Sequence, residues 1–507
     1  MNRRLVVLWD PENPIVPARS LVAALGRRVD VAELTFGQVS HRTLPNGAFD
    51  LAPEGRQDID GVLWIEGGPL PRDLERFDCP KAAWLVNDHA EPTLVDDLAG
   101  RFDPLLVSSL RHADCAKKRW LPLCADEGNP LTVSSGVSVN ADDPVSPEHA
   151  VTMADVVRAL ESVPPPRTRV AVCLGQAGRP HPLLFECLRA GIAVVADPES
   201  DLRGIAHVGE HLEVFPANGE FAEVFGNLVR DEERLSRLAI RGPEIVSHLH
   251  TAEIRAAELC DAIWPGLEVL SGERFHPKVS VLVTCHRFRR RLRHCLQSLA
   301  RQDLAPGTLE IVVADPKSPD GLAQYLREFA TSAPHVRVVR LPLDARYHRN
   351  RGYCIDRAFD SSLGEVVVGI DGDIIFPPHL VRVLAEAVAG NPEKVFGVRR
   401  VFLDRPTTEG ILTGCQDRAS EFDRLSRSEG DGQEGSFVGV LGYCQALHRA
   451  AFAKARYPRE FDAVNQSDIV FVERLGREAG VKPCFLADEK VLHLWHPRNW
   501  AGTSEDL

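Results

Sequence analysis

Four short aliphatic runs follow one another in the second half of the chain: VSVLVTC (279–285), LEIVVAD (309–315), VRVVRLP (336–342) and EVVVGID (365–371). They recur roughly 30 residues apart, the length of one strand–helix–strand unit. Each is too short for a helix and lacks the polar alternation of a strand with one wet face. Strands of this kind are covered on both sides, which calls for a largely parallel sheet with helices on each face. The first half follows the same pattern less regularly, with LVVLW (5–9), GVLWI (61–65), AAWLV (82–86), PLLVSS (104–109), RVAVCLG (169–175) and IAVVADP (192–198). Helical patterns such as PARSLVAALGRR (17–28) and HPLLFECLRAG (181–191) separate these runs, and 218–263 reads as mostly helical and highly charged.

A stretch containing Pro and Ser near 127–148 reads as a crossing between two lobes, and WPGLEVLSGERFHP (264–277) interrupts the pattern more sharply. The reading is two α/β domains, 1–265 and 276–507, each long enough for its own core. Asp and Glu number 72 against 59 Lys and Arg, a formal charge of −13. That surplus disfavours non-specific binding to nucleic acid or to an anionic membrane. No stretch approaches the ~20 apolar residues of a membrane-spanning helix. The N-terminal apolar run ends at Asp10, short of the roughly 7–15 residues of a signal-peptide core. The 12 cysteines form no C-x-x-C pair, which fits reduced thiols better than a zinc ribbon or a disulfide framework. A cytoplasmic chain is the expectation.

The chemistry concentrates in the second domain. EVVVGIDGDIIFPPHL (365–380) ends a buried strand in Asp371-Gly372-Asp373. Open α/β sheets bind ligands at the carboxyl edge of their strands. Two carboxylates there, with glycine between them, suit a divalent cation and the close approach of a diphosphate. Taken alone, D-G-D also reads as a plain turn.

The order of VSVLVTCHRFRRRLRHCLQSLARQ (279–302), the strand at 309–315, HRNRGYCIDRAF (348–359) and the D-G-D strand resembles the family 2 glycosyltransferases of the GT-A fold, over about 275–500. The resemblance implies that Thr284 and His286 contact the nucleobase, with Asp315 on the first acid after the second strand. It places Arg349 of Arg349-Asn350-Arg351-Gly352 near the nucleotide. It gives Asp371 to the nucleotide-sugar and metal, and Asp373 to the metal that bridges the diphosphate. GVLGYCQALHR (439–449) resembles the family's glycine-rich acceptor-side strand. FDAVNQSDIVFVERLGREAG (461–480) resembles its catalytic segment and puts Asp468 on the base. Asp468 equally reads as a helix N-cap, and a capping position can aim a carboxylate into a cleft. In VLHLWHPRNW (491–500), His493 and His496 match the late histidine that several members supply to the cation, His493 being preferred. Carboxylates with neutral imidazole suit Mn²⁺ or Mg²⁺.

Two departures stand out. Many relatives carry a second acid after the second strand, where this chain has Pro316, so recognition of a uracil base is not implied. Ser467 also replaces the acid that usually precedes the base. What the resemblance implies is inverting transfer of a sugar from a nucleotide-diphosphate donor to the hydroxyl of a glycan, protein or small-molecule acceptor, with Asp468 taking the proton.

Residues 1–263 resemble GT-B glycosyltransferases of the CgeB-related group. The resemblance rests on AAWLVNDH (82–89), FDPLLVSS (102–109), RWLPLCAD (119–126), FECLRAGIAVVAD (185–197) and HLHTAEIRAAELCD (248–261). It implies two Rossmann-type lobes in which Glu186 would hold a donor ribose, although Glu186 also reads as a helix-terminal charge. GQAGRPH (175–181) keeps only Arg179 of the basic residues expected in a donor loop. The expectation is a reduced lobe serving acceptor binding or assembly of identical chains. The alternatives are a second active transferase site and a non-catalytic sugar-binding scaffold. A nucleotidyltransferase would need a glycine-rich loop after its first strand, and TCHRFRRRL (284–292) has no glycine.

Overall fold

A computed structural model describes residues 3–9, 18–35, 59–66, 79–85, 92–103, 105–107, 118–120, 137–140, 169–173, 183–196, 201–215, 221–264, 266–413, 422, 433–437, 439–460 and 467–496. The chain divides into two units, Met1–Pro265 and Gly266–Leu507. Among the described residues, no helix is long and apolar enough to cross a membrane.

In the first unit, strands β1 (Arg4–Trp9), β2 (Asp30–Thr35), β3 (Gly61–Ile65), β4 (Lys81–Leu85), β5 (Leu105–Val107) and β6 (Lys118–Trp120) form a sheet in the order 2-1-3-4-5-6. All its pairs are parallel. Helix α1 (Ala18–Gly26) makes the first crossover, and α2 (Pro92–Arg101) joins β4 to β5. A second parallel sheet has β7 (Val137–Asn140), β8 (Val170–Cys173), β9 (Ala193–Ala196) and β10 (Glu213–Val214) side by side in chain order. Helix α3 (Leu183–Arg189) links β8 to β9. Strand β7 lies within the stretch read as a crossing. Its four residues carry only two valines, too little apolar signal to stand out from the Ser and Pro around them.

Helices α4 (Phe221–Arg230), α5 (Glu232–Leu249) and α6 (Ala252–Ile263) complete the unit. The Thr251 hydroxyl accepts the Ile254 N–H at 3.2 Å and so starts α6, as an N-cap should. Helix α6 returns to the first sheet. Arg27, just past α1, pairs with Glu253, and Trp264 Nε1 donates to the Asp60 carbonyl at 2.7 Å.

The second unit is one sheet in the order β11-β14-β13-β12-β15-β19-β17-β20-β16, with β18 on β17. Its members are β11 (Glu268–Ser271), β12 (Val279–Thr284), β13 (Leu309–Asp315), β14 (Arg337–Pro342), β15 (Val366–Asp371), β16 (Ile374–Ile375), β17 (Lys394–Leu403), β18 (Gln433–Phe437), β19 (Cys444–His448) and β20 (Lys482–His493). β14, β13, β12 and β15 are mutually parallel. These four are the aliphatic runs at 279–285, 309–315, 336–342 and 365–371. β11 pairs antiparallel on the edge, in a segment that the sequence presents only as a break. Helices α7 (Arg289–Leu299), α8 (Leu322–Ser332), α9 (Arg351–Asp360) and α10 (Leu380–Gly390) connect or flank these strands. Val281, Val283, Ile311, Val313, Val368 and Ile370 pack with Leu292 and Leu296 of α7 in one buried core.

A fully buried charge holds three of these strands together. Glu310, inside β13, accepts from Ser280 Oγ at 2.6 Å and from the Leu363 N–H at 2.8 Å, and pairs with Arg337 of β14. Its carboxylate is thus satisfied from β12, from β14 and from the loop before β15, which meets the requirement for burying an ion.

Candidate active site

From β12 the chain moves outward through β13 to β14, then returns to place β15 on the other flank of β12. The carboxyl ends of β12 and β15 therefore border the point where strand progression reverses, and a ligand cleft opens there in such sheets. Their last residues, Thr284 and Asp371, are register partners. An open cleft of about 660 Å³ lies at this place. Thr284, His286, Asp371, Gly372 and Asp373 line it, so residues from two sequence-distant runs meet in one space. Cys285, Phe288, Pro316 and Cys354 form its less polar walls. Burial pushes the Cys354 thiol up to about 12, and Arg351 opposes that rise. This keeps it an uncharged wall residue.

At one end, the rings of His286 and His348 lie 4.8 Å apart. Burial, followed by the neighbouring His348 and Arg287, lowers the His286 pKa, so its imidazole is neutral at pH 7. The turn after it is strained: Arg287 has φ of 59°, a left-handed value rare outside glycine, and its N–H donates to Ser318 Oγ at 2.7 Å.

Asp315 is not among the residues that line the cleft. Its carboxylate accepts from Arg340 at 2.8 and 2.7 Å and from the Ser318 N–H at 2.7 Å, and the residue is 1% exposed. Arg349 is not among the lining residues either; it ends a 3₁₀ turn (Ala345–Arg349) and is exposed. Its neighbours explain the motif. The Asn350 side chain caps α9 by accepting the Tyr353 N–H at 2.8 Å. Arg351 turns inward and lines the cleft.

The guanidinium of Arg351 donates from Nε to Asp371 Oδ1 at 3.0 Å, from Nη2 to the Gly442 carbonyl at 2.6 Å, and from Nη1 to the Tyr457 hydroxyl. Burial alone would lower its pKa, but Tyr457, Asp371 and Asp468 together hold it above its ordinary value. Sequence reasoning missed this residue. Arg351 occupies the variable position of R-N-x-G, where residue type carries no signal.

Asp373 meets different neighbours. It is 2% exposed, and its Oδ2 faces Nε2 of His493 at 3.6 Å and of His496 at 3.3 Å. The long strand β20 brings the imidazoles there. It runs parallel to β17 and pairs with β16, so that Ile374 lies opposite His493. The Leu494 N–H donates to the Asp373 carbonyl at 3.0 Å. Arg291 of α7 holds the Trp495 carbonyl at 3.0 and 2.9 Å. Phe288 and Phe402 each flank one imidazole.

Among the described residues, Asp373, His493 and His496 form the one group of His, Cys or acid side chains able to share a metal ion, with ligand atoms within 4.8 Å of one another. Asp373 Oδ1 and His493 Nδ1 are buried without a hydrogen-bond partner. Leaving such atoms unmade costs about 1–3 kcal/mol each. One carboxylate and two imidazoles that converge with spare acceptor capacity fit a divalent cation. Asp371 stands outside this group, on Arg351.

Asp468 lies in the first turn of α11 (Ser467–Ala479). Its Oδ2 accepts the Gly442 N–H at 2.7 Å and its Oδ1 accepts the Ile469 N–H at 3.0 Å. It does not line the cleft itself, but its charge reaches Arg351 and Tyr457.

Residues 280–454 match the family described as Glycosyl transferase family 2. The second unit carries a family 2 glycosyltransferase domain. Residues 153–261 match a family described as Glycosyl transferase-like. No curated protein matches the chain. Among solved structures, S. aureus TarS is 17% identical, over 43% of this chain and 37% of that one, with a TM-score of 0.32. The mannosyltransferase PcManGT from Pyrobaculum calidifontis, in complex with GDP-Man and Mn²⁺, is 18% identical over 45% and 60%, with a TM-score of 0.31. S. aureus TarS 1–349 in complex with UDP-GlcNAc is 16% identical over 45% and 61%, with a TM-score of 0.32. The match spans less than two thirds of each of these structures.

In the first unit, Glu186 is 8% exposed and accepts from Arg189 of its own helix at 3.2 and 3.1 Å. Arg179 lies outside the described residues, as do Asn87–His89 and Asp126.

Proposed function

We propose that the glycosyltransferase domain moves a sugar from a nucleotide-diphosphate donor to an acceptor hydroxyl, with inversion and with the help of a divalent cation. The observation that carries this reading is the convergence of Asp373, His493 and His496 beside a cleft at the reversal point of a parallel sheet. Asp373, His493 and His496 would hold the cation, Mn²⁺ or Mg²⁺, whose chemistry is to neutralise charge on a departing diphosphate.

The remaining work falls to the chain itself. The open cleft takes the donor, with the His286 and His348 rings at the nucleobase end. Thr284 and Asp371 close the floor between base and sugar. Because Arg340 and Ser318 already occupy Asp315, the base is read by neutral groups and not by that carboxylate. Asp468 accepts the proton of the attacking hydroxyl, a role worth about 10²–10⁴ in rate. A single displacement at the anomeric carbon inverts it.

The first unit takes an accessory role in this reading, in acceptor binding or assembly; its Glu186 is paired with Arg189 of its own helix. The test is a screen of nucleotide-sugars with Mn²⁺, followed by release of nucleoside diphosphate. Asp373→Ala is expected to abolish release. Asp468→Asn is expected to keep donor binding and to slow transfer by about 10²–10⁴-fold. A wild-type protein that binds sugars but turns over no donor would leave the scaffold reading in its place.

A further inference from the structure

The two carboxylates assigned to donor and acceptor chemistry, Asp371 and Asp468, come from different strands and helices, yet one side chain reaches toward both. We propose that Arg351 is a positioning residue that sets the carboxylate of Asp468 relative to Asp371 through two hydrogen-bonded arms. The proposal rests on reading Asp468 as the base. The first arm is a single residue wide: Gly442 takes Arg351 Nη2 on its carbonyl at 2.6 Å and gives its own N–H to Asp468 Oδ2 at 2.7 Å. The second arm runs from Arg351 Nη1 to the Tyr457 hydroxyl. That hydroxyl donates to Gln445 Oε1 at 3.2 Å, and Gln445 Nε2 donates to the Asp468 carbonyl at 3.2 Å. One arm ends on the carboxylate and the other on its backbone, so both its position and its approach direction are fixed. Meanwhile Nε anchors the whole assembly on Asp371 at 3.0 Å.

The arms are dry. Arg351 is 8% exposed, and Tyr457 and Gln445 are 1% exposed each, so water cannot substitute for a lost bond. Gly442 supplies an independent sign of the arrangement. A Cβ there would come within 3.0 to 3.1 Å of the Arg351 guanidinium atoms, so any larger residue would push the planar group back by a few tenths of an ångström. Three differently directed bonds from one rigid fork are also beyond a lysine, whose single ammonium is a point charge on a flexible stem.

The test measures transfer with a donor that the wild-type protein turns over. The variants are Arg351→Lys, Tyr457→Phe and Gly442→Ala, each made alone and on the Asp468→Asn background, with melting temperatures to confirm folding. Each single variant is expected to lower kcat, Arg351→Lys by about 10²-fold as a misplaced group does. Tyr457→Phe leaves the donor KM in place, because Arg351 Nε keeps its own bond to Asp371. On the Asp468→Asn background none of the three should lower kcat further, since residues that act through one group are not additive. Additive losses on that background, or losses confined to donor KM, would overturn the proposal. Should Arg351→Lys fail to fold, Tyr457→Phe and Gly442→Ala decide the same question. Full transfer by Asp468→Asn alone would remove the base assignment, an outcome distinct from a slowed Asp468→Asn on which the partner losses add.

Discussion

Adding Mn²⁺ to the metal-free protein is expected to raise the melting temperature of the second unit by about 5–10 °C when the ion is at 100 times its dissociation constant. An ion that binds only the folded state adds about 2.7 kcal/mol at that ratio. A unit the size of Gly266–Leu507 moves by about 2–4 °C per kcal/mol. Asp373 is the anionic member of the donor group, and its Oδ2 is the atom both imidazoles face, so Asp373→Asn should abolish the shift. His496→Ala removes one of three ligands and should leave only a small remnant. Asp371→Asn should keep most of the shift, because Asp371 is bonded to Arg351 and stands outside the group. Scanning calorimetry with no donor or acceptor reads this directly, independent of turnover. The shift should also shrink as pH falls through the lowered folded pKa of His493, whose imidazole must be neutral to ligate. An undiminished shift in Asp373→Asn, or its loss in Asp371→Asn alone, would refute the assignment of ligands.

Glu310→Ala should destabilise the second unit by about 3–5 kcal/mol, since it leaves Arg337 buried and unpaired; urea unfolding reads it, and a cost below about 1 kcal/mol would mean the ion pair holds nothing. Gly352→Ala should cost about 3 kcal/mol, the upper end for overpacking, because its Cβ would fall 1.8 Å from the Pro458 carbonyl oxygen, which is backbone and cannot swing aside. The pH dependence of the metal-free protein has a definite sign. Burial is the main cause of the lowered pKa values of His286 and His493, so the unfolded chain takes these protons first. Their contribution to stability is complete above the unfolded value of ~6.5 and is lost as pH falls through the folded values. A melting temperature that falls from pH 7 to 5, and falls less in His493→Gln, is the expected result; a slope unchanged by that substitution would contradict it.

What the sequence discloses and what it hides follow from one difference. β12 to β15 are legible because burial on both faces writes itself into consecutive residues, as in VVVGID. Edge and outer strands leave weaker traces. β11 has four half-buried residues, and β20 carries Lys, Pro, Asp and Glu along a half-exposed length. Motif residues at strand ends, Thr284 and Asp371 among them, are found by reading the strand first and then its terminus. His493 and His496 signal themselves only by residue type, and what brings them beside Asp373 is the pairing of β20 with β16 and β17, a contact between segments far apart in the chain. Arg351 is hidden more thoroughly. Within R-N-x-G the asparagine is explained by its cap and the glycine by the Pro458 carbonyl, while the arginine between them gains meaning only from Gly442, Tyr457 and Asp371, which three other segments supply. A residue whose partners are all non-local cannot be recognised from spacing. Its chemistry is set by the reversal of strand order that gathers those segments, and the same reversal makes the cleft.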